Sequence, residues 1–181
     1  MSTVANLRDE LRAILENVNK WLQHAESKNG AVITLNGASF FAIKGAFDLD
    51  KAGFLMKIYL GFLLFCIVVA LVSSLLSFLP QTKISWISSK ALTDAKDNVY
   101  FFGHLLNFQS NELIDRLKTD PGYQNYSEGE IDVALADQII TNSMIARRKY
   151  QYFKFSIWIT LFGILTPIGG FLALLKFSPN K

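Results

Sequence analysis

Three consecutive cations, Arg147, Arg148 and Lys149, follow the stretch DQIITNSMIA and precede YQYFKF. Paired guanidinium groups grip a phosphate or carboxylate through parallel hydrogen bonds, so one chemistry on offer is an anionic ligand. The other is topological. Cations at the cytoplasmic end of a membrane helix fix its orientation and attract anionic lipid headgroups. Upstream, Ile131, Leu135, Gln138, Asn142, Ile145 and Lys149 recur every three or four residues, the spacing of one helical face. That face starts apolar and becomes polar. Amides buried there would fix register against another helix or contact a small polar ligand, and periodicity favours register.

Other reactive residue types are sparse. His24 and His104 are the only histidines, too few partners for a metal site. Cys66 is the only cysteine, which excludes a disulfide or a paired-cysteine metal site within one chain. HExxH, GxSxG and GxxxxGK[ST] patterns are missing from the sequence, so neither zinc hydrolysis, nor a serine nucleophile, nor a phosphate loop is indicated. No enzyme, cofactor or metal is expected. The net charge is +3 without a basic stripe in a soluble segment, and nucleic-acid binding is not expected either.

The elements that must position these residues are set by where the apolar residues fall. Hydrophobic residues make up 51% of the chain and charged ones 18%, and the two are segregated into blocks. Ile58 to Leu79 is an uncharged run closed by Pro80, and Phe155 to Leu175 is a second, containing Pro167, Gly169 and Gly170. Each matches the roughly 20 residues a helix needs to cross a bilayer. Ala31 to Phe47 is shorter and contains Asn36 and Lys44. Lys44 can snorkel, and the small residues Gly37, Ala38, Ser39, Ala42 and Gly45 suit close helix packing. Counting it as a span places the leading helix and residues 80–154, rich in Lys and Arg near the spans, on one side. The positive-inside rule makes that side cytoplasmic.

In the leading segment, Leu7, Leu11, Ile14, Leu15, Val18, Trp21, Leu22 and Ala25 form one apolar stripe, which must pack on the 80–154 region, a second subunit or the membrane surface. Its start is polar and helical in pattern, so no cleavable leader is expected. Between the last two long spans, Ser110 is expected to cap a helix NELIDRLK, TDPGYQNY is a turn, and Ser127 with Glu130 forms a capping box. From there one helix should run unbroken into the last span. The plan is an all-α integral membrane protein. It has a cytoplasmic amphipathic helix at 1–30, spans at 31–47, 58–79 and 155–175, a periplasmic loop at 48–57, a small helical cytoplasmic region at 80–154 and a tail at 176–181.

Three segments resemble the bacterial Pycsar transmembrane effectors. They are HAESKNGAVITLNGASF (24–40), VYFFGHLLNFQSNELIDRL (99–117) and DQIITNSMIARRKYQYFKF (137–155). Their order and the placing of the hydrophobic spans agree with that family. Glu26 stands where an Asp is expected, and Gly30 where an alanine is usual. The resemblance implies an antiphage role in the inner membrane. A neighbouring pyrimidine cyclase would make a diffusible cyclic pyrimidine nucleotide, cUMP or cCMP. The effector, as a homo-oligomer in the lipid bilayer, would respond by impairing the membrane, giving abortive infection. Expected nucleotide contacts are Arg147, Arg148, Lys149, Asn142, Gln138 and His104. The competing expectation is a structural or accessory oligomeric membrane protein that scaffolds a partner without sensing a nucleotide.

Overall fold

The protein is seen here as a computed structural model that describes residues 6–46, 53–80, 97–124 and 126–177, with the side chains of Ala46 and of 168–177 left aside. Among the described residues every regular element is helical: α1 (Leu7–Ala46), α2 (Phe54–Leu76), α3 (Phe102–Leu105), α4 (Ser110–Leu117) and α5 (Glu130–Phe177). Residues 48–52 of the loop expected at 48–57, the segment 81–96 and the tail beyond Phe177 lie outside the described residues, and the rest of that loop, from Phe54, is the first turn of α2 instead. The chain divides into two compact units, one of Met1–Glu26 with Pro80–Tyr150, the other of Ser27–Leu79 with Gln151–Lys181.

In the first unit the apolar stripe of α1 is buried. Leu7, Leu11, Ile14 and Val18 are at most 1% exposed and share a core with Leu105, Leu113, Ile114, Leu117, Ala136 and Ile139. Of the three partners open to that stripe, the structure shows the region following Pro80. Each fully buried Leu or Ile stabilises by about 1.5–3 kcal/mol relative to exposure, so this stripe is a main source of cohesion. α5 presents a different face from the one its large apolar residues suggest. Ile131 and Gln138 are exposed, whereas Asp132, Ala136, Ile139, Ser143 and Ala146 are buried. Small residues let the backbones approach, and the buried carboxylate of Asp132 accepts from Arg8 Nε at 2.8 Å and Nη2 at 3.3 Å.

The caps are also displaced. α4 is headed by Gln109, whose N–H donates to Glu112 at 2.8 Å. Ser110 stands inside the helix and gives its hydroxyl to Asp137, so it is not available as a cap. α5 begins at Glu130, with the Gly129 N–H donating to Asp132 at 2.9 Å. That is the backward half of a capping box, two residues beyond the Ser127–Glu130 pairing. The turn after α4 forms as expected, with Gly122 N–H on the Asp120 carboxylate at 2.8 Å.

In the second unit α2 buries Leu60, Leu63, Cys66, Ile67 and Ala70. It is, among the described residues, the one helix long and apolar enough to cross a membrane. At 1.5 Å per residue its 23 residues reach about 35 Å, past the roughly 30 Å of hydrocarbon. The interior of this unit carries polar pairs. Ser74 donates to Ser156 at 3.0 Å, and Thr160 donates to Asn36 at 3.0 Å. Gly163 permits a close approach, since a Cβ there would meet the Cys66 Cβ at 2.9 Å. The surface carries Leu35, Phe41, Phe65, Val72, Trp158 and Phe162 exposed. Among the described residues, a Cβ at Gly37 or Gly45 of α1 would meet nothing within 4 Å. α5 continues through Pro167 to Phe177 without a break.

Candidate functional site

α5 holds five of the six expected contact residues, all in the first unit, but does not converge them. Arg147 is exposed and Arg148 half-buried. The Lys149 ammonium pairs with Glu26 of α1 at 3.0 Å, with 12% of its side chain exposed. Its charge is therefore already matched, which disfavours it as a free anion grip. Asn142 donates to Asn19 of α1 at 2.8 Å. That bond sets the register of α5 against α1, the structural role the spacing favoured. Gln138 faces outward and buries no hydrogen bond.

His104 sits apart from the cations, at the end of a chain of rings. Its Nδ1 accepts the Asn98 N–H at 3.0 Å, with the Asp97 carboxylate at 3.7 Å. Phe101 meets His104 edge-on at 5.2 Å and Phe102 at 5.0 Å. Phe102 in turn stacks on Tyr150 at 5.4 Å and touches Trp21 at 5.4 Å. Gly103 permits this fold-back, because a Cβ there would sit 2.5 Å from the Phe101 ring. Such aromatic pairs add about 0.5–1.5 kcal/mol each beyond their buried area. The Trp21, Phe102 and Tyr150 rings tie α1, α3 and α5 together, so the cluster works as a clamp. Asn17 strengthens it by donating to the Tyr100 carbonyl at 2.9 Å. A hydrogen bond to Glu10, with burial, pushes the Tyr100 phenol up to about 12.

Near the start of α5, the Asp132 carboxyl is strongly perturbed. The Arg8 hydrogen bond holds it at about 2, against the opposing cost of burial, with help from the Gly129 N–H and Tyr126. It is a fixed anion in a structural knot. Among the described residues no group of three His, Cys, Asp or Glu comes together to hold a metal ion.

Among the described residues, a groove of about 510 Å³ opens elsewhere, between the start of α4 and α5. Phe108, Gln109, Asn111, Asp137, Thr141 and Met144 contribute to its walls. None of the six expected contact residues is among its lining. It combines apolar plates with amides, a hydroxyl and one carboxylate, a set that binds by shape and hydrogen bonding. Asp137 and Thr141 fall inside the DQIITNSMIARRKY stretch, but α4 contributes the opposing wall. The spacing along α5 alone carries no sign of it.

Comparison with curated proteins and with solved structures finds no match. One family model, PycTM, the Pycsar effector protein domain, matches residues 10–176, spanning nearly all of α1 and α5, the aromatic clamp and the groove, and the chain belongs to that family.

Proposed function

We propose that the protein is the membrane effector of a Pycsar antiphage system, activated by a cyclic pyrimidine nucleotide, cUMP or cCMP, from a neighbouring cyclase. On activation it impairs the inner membrane and kills the infected cell before phage release. The observation that carries this reading is the family match over residues 10–176. α2, apolar and long enough to span, supports the membrane location.

The same reading takes α1 beyond residue 30 and α5 from 155 to 175 as two further spans. Large apolar side chains exposed around Leu35, Phe41, Trp158 and Phe162 suit a lipid surrounding better than water. The interior hydrogen bonds Thr160–Asn36 and Ser74–Ser156 suit helices packed in hydrocarbon. The first unit, with Lys20, Arg147, Arg148 and Lys149, then faces the cytoplasm. Gly37, Ala38, Ala42 and Gly45, half-exposed or exposed on α1, offer a small-residue face for a second copy in an oligomer. A ligand shifts such an assembly only by binding the active arrangement more tightly. α5, continuous from the first unit into the second, is the element such a shift would move.

The test is entry of a membrane-impermeant dye into cells that express the protein, with cUMP or cCMP raised by a co-expressed cyclase. Dye entry within minutes of induction, dependent on both components, is expected. Growth arrest with an intact barrier would remove the membrane step, and no growth effect with either nucleotide would remove the effector reading.

A further inference from the structure

We infer that the groove between α4 and α5 is the seat of the activating nucleotide, taking its base and ribose, with the phosphate outside at Arg148. This rests on the cyclic-nucleotide reading above and assigns it a place. Small-molecule sites typically measure about 300–1,000 Å³, and the groove's volume of about 510 Å³ falls in that range.

Its chemistry is that of a neutral heterocycle with a polar edge. Phe108 and Met144 supply apolar contact, while the amides of Gln109 and Asn111 each offer a donor and an acceptor. A pyrimidine presents both kinds of group along one edge. A 3′,5′-cyclic nucleotide keeps one free sugar hydroxyl, at the 2′ position. Asp137 accepts from Ser110, and a carboxylate has about four acceptor positions, so it can also accept that hydroxyl.

Charge decides which end lies inside. No lining residue is cationic, and Asp137 is an anion. A phosphate in the groove would meet the repulsion of Asp137 and no cation to offset it. Along α5, positions 137, 141, 144 and 148 are spaced by four, three and four, one face of the helix. Arg148 therefore lies about one turn beyond Met144 on the groove face, where a guanidinium can meet a phosphate that projects out. Arg147 points off this face and is exposed. The basic cluster thus divides, with Arg148 assigned to the ligand and Lys149 to Glu26.

The experiment is calorimetry of the detergent-purified full chain with cUMP, cCMP and cAMP, on wild type and three variants. Thr141→Trp fills the groove from a half-exposed position and should abolish pyrimidine nucleotide binding. Asp137→Asn should weaken it about tenfold. Arg148→Gln should weaken it and flatten its dependence on salt. The thermal midpoint of the ligand-free protein identifies a variant that has not folded, and Asp137→Asn, which keeps size and shape, then carries the test. Wild-type binding of cUMP or cCMP with Thr141→Trp and Asp137→Asn both within twofold would overturn the groove and leave the nucleotide reading intact. No binding of either nucleotide to wild type would overturn both.

Discussion

Replacing Asp132 with alanine should destabilise the first unit by about 3 kcal/mol, because breaking a buried ion pair by removing one partner costs about 3–5 kcal/mol. The lower end applies here, since Arg8 keeps 32% of its side chain exposed and can turn to water, while Asp132 is fully buried. The carboxylate serves four donors: Arg8 Nε at 2.8 Å, Arg8 Nη2 at 3.3 Å, the Gly129 N–H at 2.9 Å and the Tyr126 hydroxyl at 3.2 Å. Charge-assisted bonds contribute about 1.5–3 kcal/mol each before the cost of dehydrating the carboxylate is set against them, so a net loss of about 3 kcal/mol is consistent. For a unit of this size each kcal/mol moves the thermal midpoint by about 4–8 °C. The midpoint should therefore fall by at least roughly 10 °C. Trp21, in the first unit, reports on it when Trp86 and Trp158 are replaced by phenylalanine. A double-mutant cycle with Arg8→Ala should show a coupling of about 1.5 kcal/mol or more. A midpoint within 2 °C of wild type, or effects that add to within about 0.5 kcal/mol, would refute the account of this knot.

Four further outcomes are expected. Because the folded state holds the Asp132 carboxyl at about 2, below its ordinary 3.8, its contribution is complete above about pH 4 and is lost as pH falls towards 2; the gap in midpoint between wild type and Asp132→Asn should narrow between pH 5 and pH 3. Gly163→Leu should disrupt the second unit, since even its Cβ would lie 2.9 Å from the Cys66 Cβ. Overpacking typically costs about 1–3 kcal/mol, visible as a lower midpoint in detergent denaturation. Gly37→Leu, with nothing within 4 Å of its Cβ, should leave the monomer's midpoint within about 2 °C and reduce chemical cross-linking between copies. Arg147→Ala should leave insertion, fold and nucleotide response unchanged, because that residue is exposed and lies off the groove face; a lost response in calorimetry or dye entry would count against the division of the basic cluster.

Several features were legible because the signal is carried by large apolar side chains at regular spacing. The α1 stripe is of this kind, and so are the apolar run of α2 and the continuity of α5 from Glu130 onward. The buried face of α5 was not, because beside Ile139 and Ile140 it consists of Asp132, Ala136, Ser143 and Ala146, small or charged residues with little hydrophobic signal. Asp132 is buried only because Arg8 comes to it from 124 residues away. Ser110 and Ser127 have the right type for caps, but Ser110 is engaged with Asp137 and the Gly129 N–H is taken by Asp132. Lys149 and Glu26 were each visible as charged residues near a span, and their pairing depends on how α1 packs against α5. The groove is built from two segments that are polar and unremarkable on their own.

The pairing of α1 with α5 has a consequence for how the protein is made. Arg8 and Asp132 are separated by 124 positions. At about 5–20 residues per second, the N-terminal stripe waits roughly 6–25 s after its own synthesis for the last of the helices that cover it. During that interval Leu7, Leu11, Ile14 and Val18 lack part of the cover that buries them in the folded chain, and the apolar segments between them and α5 are emerging. Such distant contacts also slow the closure of the first unit. The first unit, whose last residue is Tyr150, thus closes only after the apolar α2 has left the ribosome.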